Sequence, residues 1–148
     1  MNMMQLETEL SGLLQRVEPA ARRALARDIA KALRASQQQR IRDQLNPDGS
    51  EFTPRKPQFR AKKGKIRRQM FSKLRAAKWL KVEATTNGAA VAFVGQVERI
   101  ARVHQYGLRD RVSRRSRRET QYPARELLGF AAADIEVIRD QMLAHLSK

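Results

Sequence analysis

At 148 residues the chain is long enough for one domain with a real core and too short for two comfortable ones. It has no cysteine, which excludes disulfides, thiolate metal sites and a cysteine nucleophile, and only eight of its residues are aromatic. The formal net charge of +16 is laid unevenly: Arg55 to Lys81 holds twelve Lys or Arg and no acid, Arg99 to Arg125 holds nine Arg against Asp110 and Glu119, and the remainder sums to −3. A local excess of one sign points to an anionic partner, either nucleic acid or an acidic protein face, because soluble surfaces without such a partner usually intersperse both signs.

The start of the chain lacks the basic-then-apolar order of a secretory signal, and no run reaches the ~18 apolar residues of a spanning helix. These features predict no membrane association and a protein of the cytosol, or of a particle assembled there. Met3 to Val17 carries Leu6, Leu10, Leu13, Leu14 and Val17 at helical spacing. A second helix is predicted from Pro19, a good first-turn residue, to about Gln44. Its narrow stripe is Ala21, Leu25, Ile29, Ala32, Leu33 and Ser36, and its opposite face is Arg22, Arg23, Arg27 and Lys31. Asn46-Pro47-Asp48-Gly49 ends it, since proline disfavours helix in the residue before it and Asp-Gly favours a turn.

Glu51 to Gly64 reads as an extended basic arm with almost nothing to bury, and Lys65 to Lys78 as a helix with Ile66, Met70, Leu74 and Ala77 inward. Leu80 to Val94 is the clearest strand signal. Asn87-Gly88 is the preferred centre of a type I′ hairpin turn, which pairs Val82 with Phe93 and Ala84 with Val91 on one apolar face. Val97, Ile100, Ala101 and His104 predict a short helix closed by Gly107. Arg109 to Arg118 reads as a basic loop, Gln121 to Pro123 as a short extended piece, and a last helix runs from Arg125 or Leu127 to Leu146. Along that helix Leu128, Ile135, Ile138, Met142 and Leu146 face inward, with Asp134, Glu136 and Asp140 solvated. The expected architecture is α+β: one domain over residues 1–148, helices packed on a small antiparallel sheet built around a β-hairpin, with long basic arms at 51–64 and 108–120.

No catalytic, cofactor-binding or metal-binding set emerges. The only histidines, His104 and His145, stand at helix ends without metal-ligand spacing, and no paired carboxylates or glycine-rich phosphate loop are present. Binding is the better-supported class. Arg60, Lys62, Lys63, Lys65, Arg67 and Arg68 in one basic stretch, and Arg114, Arg115, Arg117 and Arg118 in the other, are the candidate contacts to a partner or to DNA. Phe59, Phe71 and Trp79 lie where they could stack on bases, and Phe71 and Trp79 could instead close the core.

Three short stretches, in order, resemble the phage virion morphogenesis family. Pro47-Asp48-Gly49 followed by Phe52 and Pro54 is similar to its "PDG-xx-[W/F]-x-P" stretch, and His104-Gln105-Tyr106-Gly107 to its "HQ-[F/Y]-G" helix end. Pro123-Ala124-Arg125 with Leu128-Gly129 is similar to its "PAR-x-x-LG" stretch. Where some relatives carry a Thr-Gly-x-Leu step this chain reads Arg75-Ala76-Ala77-Lys78-Trp79-Leu80. The resemblance implies a structural virion protein, not an enzyme, at the head–tail junction, or neck, assembled in the host cytoplasm. It would complete the tail so that it can join a DNA-filled head. It further implies a homo-oligomeric ring of six or twelve copies, in keeping with the tail's symmetry, contacting other neck and tail proteins and touching packaged DNA non-specifically. Copies at +16 would repel one another strongly unless their basic arms meet acidic neighbours or the DNA lumen, which argues that such a ring is built onto something anionic. The rival reading is a sequence-independent nucleic-acid-binding protein working outside any particle.

Overall fold

A computed structural model describes residues 4–5, 8, 18–55, 69–112 and 115–146. Met4, Gln5 and Thr8 are helical, and the rest of the amphipathic stretch from Met3 to Val17 lies outside the described residues. The first fully described helix, α1, runs Pro19–Arg42. Pro19 occupies its first turn, where a missing N–H leaves nothing unpaired, and Arg40 and Arg42 sit in its last turn beside the negative end of the dipole. The turn at residues 46–50 follows as the sequence predicts. Asp48 Oδ1 accepts from the Ser50 N–H at 2.8 Å and from the Ser50 hydroxyl, Gly49 takes φ +89°, and Leu45 bridges Glu51 across the turn.

Two expectations fail in the next stretch. Phe52 is buried at 3% exposure, so the segment after the turn does supply the core. Residues 69–79 form successive turns instead of the helix predicted to reach Lys78. Phe71 sits at φ +65°, a conformation that no helix interior accommodates. The turns are stapled to α1 and to the residues just after it by side chains: Gln38 Nε2 in the helix donates to the Arg75 carbonyl at 2.8 Å, and Gln44 Nε2 beyond its end to that of Met70 at 2.9 Å. Residues 56–68, including the rest of the predicted arm and the start of that helix, lie outside the described residues.

The hairpin consists of β1, Leu80–Ala84, and β2, Ala89–Phe93. Its turn is displaced by one residue from the expected one. Val82 pairs with Val91, Ala84 with Ala89 and Leu80 with Phe93, and Thr86-Asn87 form the tip. The Thr85 hydroxyl accepts from the Asn87 and Gly88 N–H groups at 3.1 and 3.2 Å, which closes the turn without positive φ at either Asn87 or Gly88. Because the register slips by two, every side chain keeps its predicted face.

Helix α2, Val97–Tyr106, ends at Gly107 with φ +63° and ψ +56°, the left-handed closure that the sequence predicts. The expected basic loop is in part a second ribbon: β3, Arg109–Arg111, pairs antiparallel with β4, Glu119–Gln121. The last helix, α3, spans Ala132–Leu146 and begins later than predicted, for residues 122–131 form no regular element and bend at Leu127–Leu128. Asp134 is not on its solvated face. It is 2% exposed, accepting from the Ser36 hydroxyl and, at 2.8 Å, from the Ala131 N–H, so it caps the helix start and ties it to α1. Leu146, expected inward, is 42% exposed.

Among the described residues the architecture is α+β, with two small antiparallel sheets and two cores that share α1. One core joins Ile41, Phe52, Leu74, Leu80, Phe93, Val97, Ala101 and Leu127, with Phe71 and Trp79 packed against it. The other joins Leu25 and Ile29 of α1 to Ile138 and Met142 of α3. No helix among the described residues is long and apolar enough to cross a membrane.

Candidate functional site

The three sequence stretches that carry the family resemblance are far apart in the chain and meet in the fold. Their meeting point is the irregular segment 122–131, held on one side by α1 and the turn at 46–50 and on the other by the end of α2.

Two buried arginines do most of the holding. Arg40, 7% exposed, donates to the carbonyls of Leu45, Glu126 and Leu127 at 2.8, 2.7 and 2.8 Å and to Gln37 Oε1. Burial lowers its pKa from the usual guanidinium range, while Asp134 and then Glu126 pull it back. Arg125, 4% exposed, donates to the carbonyls of Thr53 at 2.7 Å and Pro54 at 3.2 Å and to His104 Nδ1 at 3.0 Å. Burial lowers its pKa too, followed by the neighbouring charge of Arg55. A planar fork with five donors suits a site where several carbonyls converge, which a lysine could not match.

Side-chain amides complete the clamp. Gln105 imitates a strand: its Nε2 donates to the Leu128 carbonyl at 2.8 Å and its Oε1 accepts from the Leu128 N–H at 2.9 Å. Gln37 Oε1 accepts from the Gly129 N–H at 3.1 Å, and Asn46 Oδ1 from the Glu126 N–H at 2.9 Å. The two motif glycines make room. A Cβ on Gly129 would lie 2.5 Å from Cγ of Pro47, and one on Gly107 would lie 2.9 Å from the Ala124 nitrogen. Edge-on ring contacts run Phe52–Phe71, Phe71–His104 and His104–Tyr122, with centroids 5.8, 4.8 and 4.9 Å apart. The Arg125 side chain is the polar partner of the His104 ring, and the His104 carbonyl takes the Arg125 N–H at 2.7 Å. Burial, and then Arg125, lower its pKa from 6.5 to about 4, so the imidazole is neutral at pH 7 with Nδ1 accepting.

Of the motif positions, Pro47, Gln105, Gly107, His104, Ala124, Arg125 and Gly129 are thus spent on holding the fold. Asp48 and Gly49 shape the turn, and Pro123 is half-buried in segment 122–131. Tyr106 stands apart at 70% exposure. Sequence reasoning missed Arg40, Gln37 and Asp134. Arg40 had a visible signal, for it continues the series Leu25, Ile29, Leu33 and Ser36 at three- and four-residue steps, and a cation in phase with an apolar stripe needs buried acceptors.

The candidate partner contacts are less completely placed. Arg115, Arg117 and Arg118 are exposed beyond the β3–β4 ladder, whereas Arg60, Lys62, Lys63, Lys65, Arg67, Arg68 and Arg114 lie outside the described residues. The ladder carries its own ion pairs, Arg109 with Glu119 at 3.1 Å and Arg99 with Asp110 at 2.7 Å. The Arg111 backbone N–H, followed by Arg99, lowers the Asp110 pKa below the usual carboxylate range. Lys78 lies 4.7 Å over the ring of Trp79, which packs on the core, the second of the two uses expected of that ring. His145 Nε2 meets Asp28 Oδ2 at 2.8 Å, tying the end of α3 to α1. No group of three or more His, Cys, Asp or Glu that could hold a metal occurs among the described residues.

The family model for the phage virion morphogenesis family matches residues 1–147. The chain is 40% identical over 144 residues to tail completion protein S of Escherichia phage P2, covering 96% of this chain and 95% of that protein. No solved structure matches. The clamp built from Pro47, Gln105, Gly107, Arg125 and Gly129 is therefore read in a chain that belongs to the phage virion morphogenesis family.

Proposed function

We propose that this protein completes a phage tail at the head–tail junction, acting as one member of a ring that lets the tail join a filled head. The observation that carries the reading is the match to a tail completion protein over nearly the whole of both chains. The fold supports a binding role over a catalytic one. Both histidines and the buried aspartate are committed to holding segments together, His104 to Arg125, His145 to Asp28 and Asp134 to Ser36. The exposed arginines past the β3–β4 ladder are the surface that meets an acidic neighbour or the packaged DNA, and the net charge of +16 favours such a partner over free copies in solution.

The test is genetic and visual. A phage lacking this gene should produce filled heads and separate tails, or tails of abnormal length, and supplying the protein in trans should restore joined particles. Antibody labelling of restored particles should mark the junction of head and tail. Normal particles from the deletion would refute the role, and label along the tail shaft or at the baseplate would refute the position. The rival nucleic-acid reading predicts, instead, a monomer that coats DNA and forms no discrete assembly without it.

A further inference from the structure

We propose that the outer face of α3 docks on the outer face of α1 in a second copy of this chain, head to tail. This names the subunit contact of the ring proposed above and rests on that reading only for closure of the ring. The two faces differ in sign. Along α3 every exposed residue is apolar or acidic: Glu136 and Asp140 carry charge, and Val137, Leu143 and Leu146 are 40%, 65% and 42% exposed. Its arginine, Arg139, is half-buried. Along α1 no exposed residue is acidic. Arg23, Arg27 and Lys31 are exposed at four-residue steps, with Ala20, Ala24 and Ala35 also exposed, and the helix's single acid, Asp28, is half-buried against His145.

The spacing fits as well as the sign. Glu136 and Asp140 are four residues apart, as are Arg27 and Lys31, so each pair spans about 6 Å along its helix. The alanines of α1 keep its face low enough for a neighbouring helix to approach. Arg and Lys stems offer apolar cover to Val137 and Leu143 while their charged ends reach the carboxylates. A two-fold α3–α3 contact would set carboxylates against carboxylates, and α1–α1 would set cations against cations, so a symmetric dimer is disfavoured on both faces. A contact between two different faces repeats from copy to copy, and closes into a ring where the rotation allows.

The experiment is charge exchange read by sedimentation equilibrium of the full chain at physiological salt. Glu136→Lys with Asp140→Lys, and separately Arg27→Glu with Lys31→Glu, should each weaken self-association by about tenfold or more, since like charges then oppose at the contact. Mixing the two variants should restore wild-type association, as should combining all four changes in one chain. Unchanged thermal melts establish that the variants fold. The neutral pair Glu136→Gln with Asp140→Asn should give an intermediate loss, and serves if a reversal variant does not fold. Association of either reversal variant at wild-type strength, loss without rescue by mixing, or a wild-type chain that stays monomeric at the highest soluble concentration would each overturn the proposal. Rescue that yields open chains instead of rings would uphold the contact and refute the ring.

Discussion

Arg40 and Arg125 are fixed charges inside the protein, and each is tolerated because three or more acceptors converge on it. Arg40→Ala would leave the Leu45, Glu126 and Leu127 carbonyls short of a donor in a water-poor site, and should cost about 2–4 kcal/mol in a denaturant melt. Arg40→Lys should recover only part of that, having one nitrogen where the fork has several. His104 gives the same cluster a pH dependence. With its pKa lowered from 6.5 to about 4, the folded protein holds the imidazole neutral while the unfolded chain takes up a proton. The stability it contributes is therefore complete above about pH 6.5 and is lost as pH falls toward 4, by up to about 3 kcal/mol. The difference in melting temperature between wild type and His104→Gln, followed from pH 7 to pH 4, measures it. A constant difference would mean that His104 does not carry the effect. The motif positions were legible in the sequence as a set, but their work was not, because a clamp depends on distant carbonyls that no local spacing reveals.

Among the elements, α1, α2 and the hairpin were legible where local chemistry and tertiary packing agree: proline at the start of α1, Gly107 at the end of α2, alternation in β1 and β2. The hairpin tip was misplaced because the Thr85 hydroxyl captures two N–H groups and outcompetes the turn preference of Asn87-Gly88. Gly88 consequently has no positive φ, and a Cβ there meets nothing within 4 Å. Gly88→Ala should leave stability unchanged or raise it by about 0.4–1 kcal/mol through the unfolded chain, whereas Thr85→Ala should lower it by about 0.5–1.5 kcal/mol. Gly129→Ala should cost more, about 1–3 kcal/mol, because the added carbon overlaps the rigid Pro47 ring. Thermal melts of the three variants side by side check this order. The predicted helix to Lys78 and the early start of α3 failed for one reason. In both stretches side chains of other elements take the backbone groups that helix bonds would use, Gln38 and Gln44 in the first, Arg40 and Gln105 in the second. Asp134 was assigned to solvent because helical periodicity alone cannot show that Ser36 waits across the interface.

For the whole molecule, charge was the most readable property and remains the link to function. The fold turns His104, Gln105, Arg125 and Gly129 inward and leaves cations on α1 and past the β3–β4 ladder, while α3 shows acid and hydrocarbon. Such a surface suits a part that joins others. The central claim is that the exposed basic stretch mates this protein to an anionic neighbour during tail assembly. It is tested most directly by replacing Arg114, Arg115, Arg117 and Arg118 together with Glu and supplying that variant to a phage lacking the gene. Arg115, Arg117 and Arg118 are exposed, away from the cores, and charge changes on such a surface should shift the melting free energy by no more than about 0.5 kcal/mol each. Infectious particles should nonetheless fall sharply, because opposed like charges at an interface cost several kcal/mol, with filled heads and tails left unjoined. Wild-type titres from the folded variant would contradict the account.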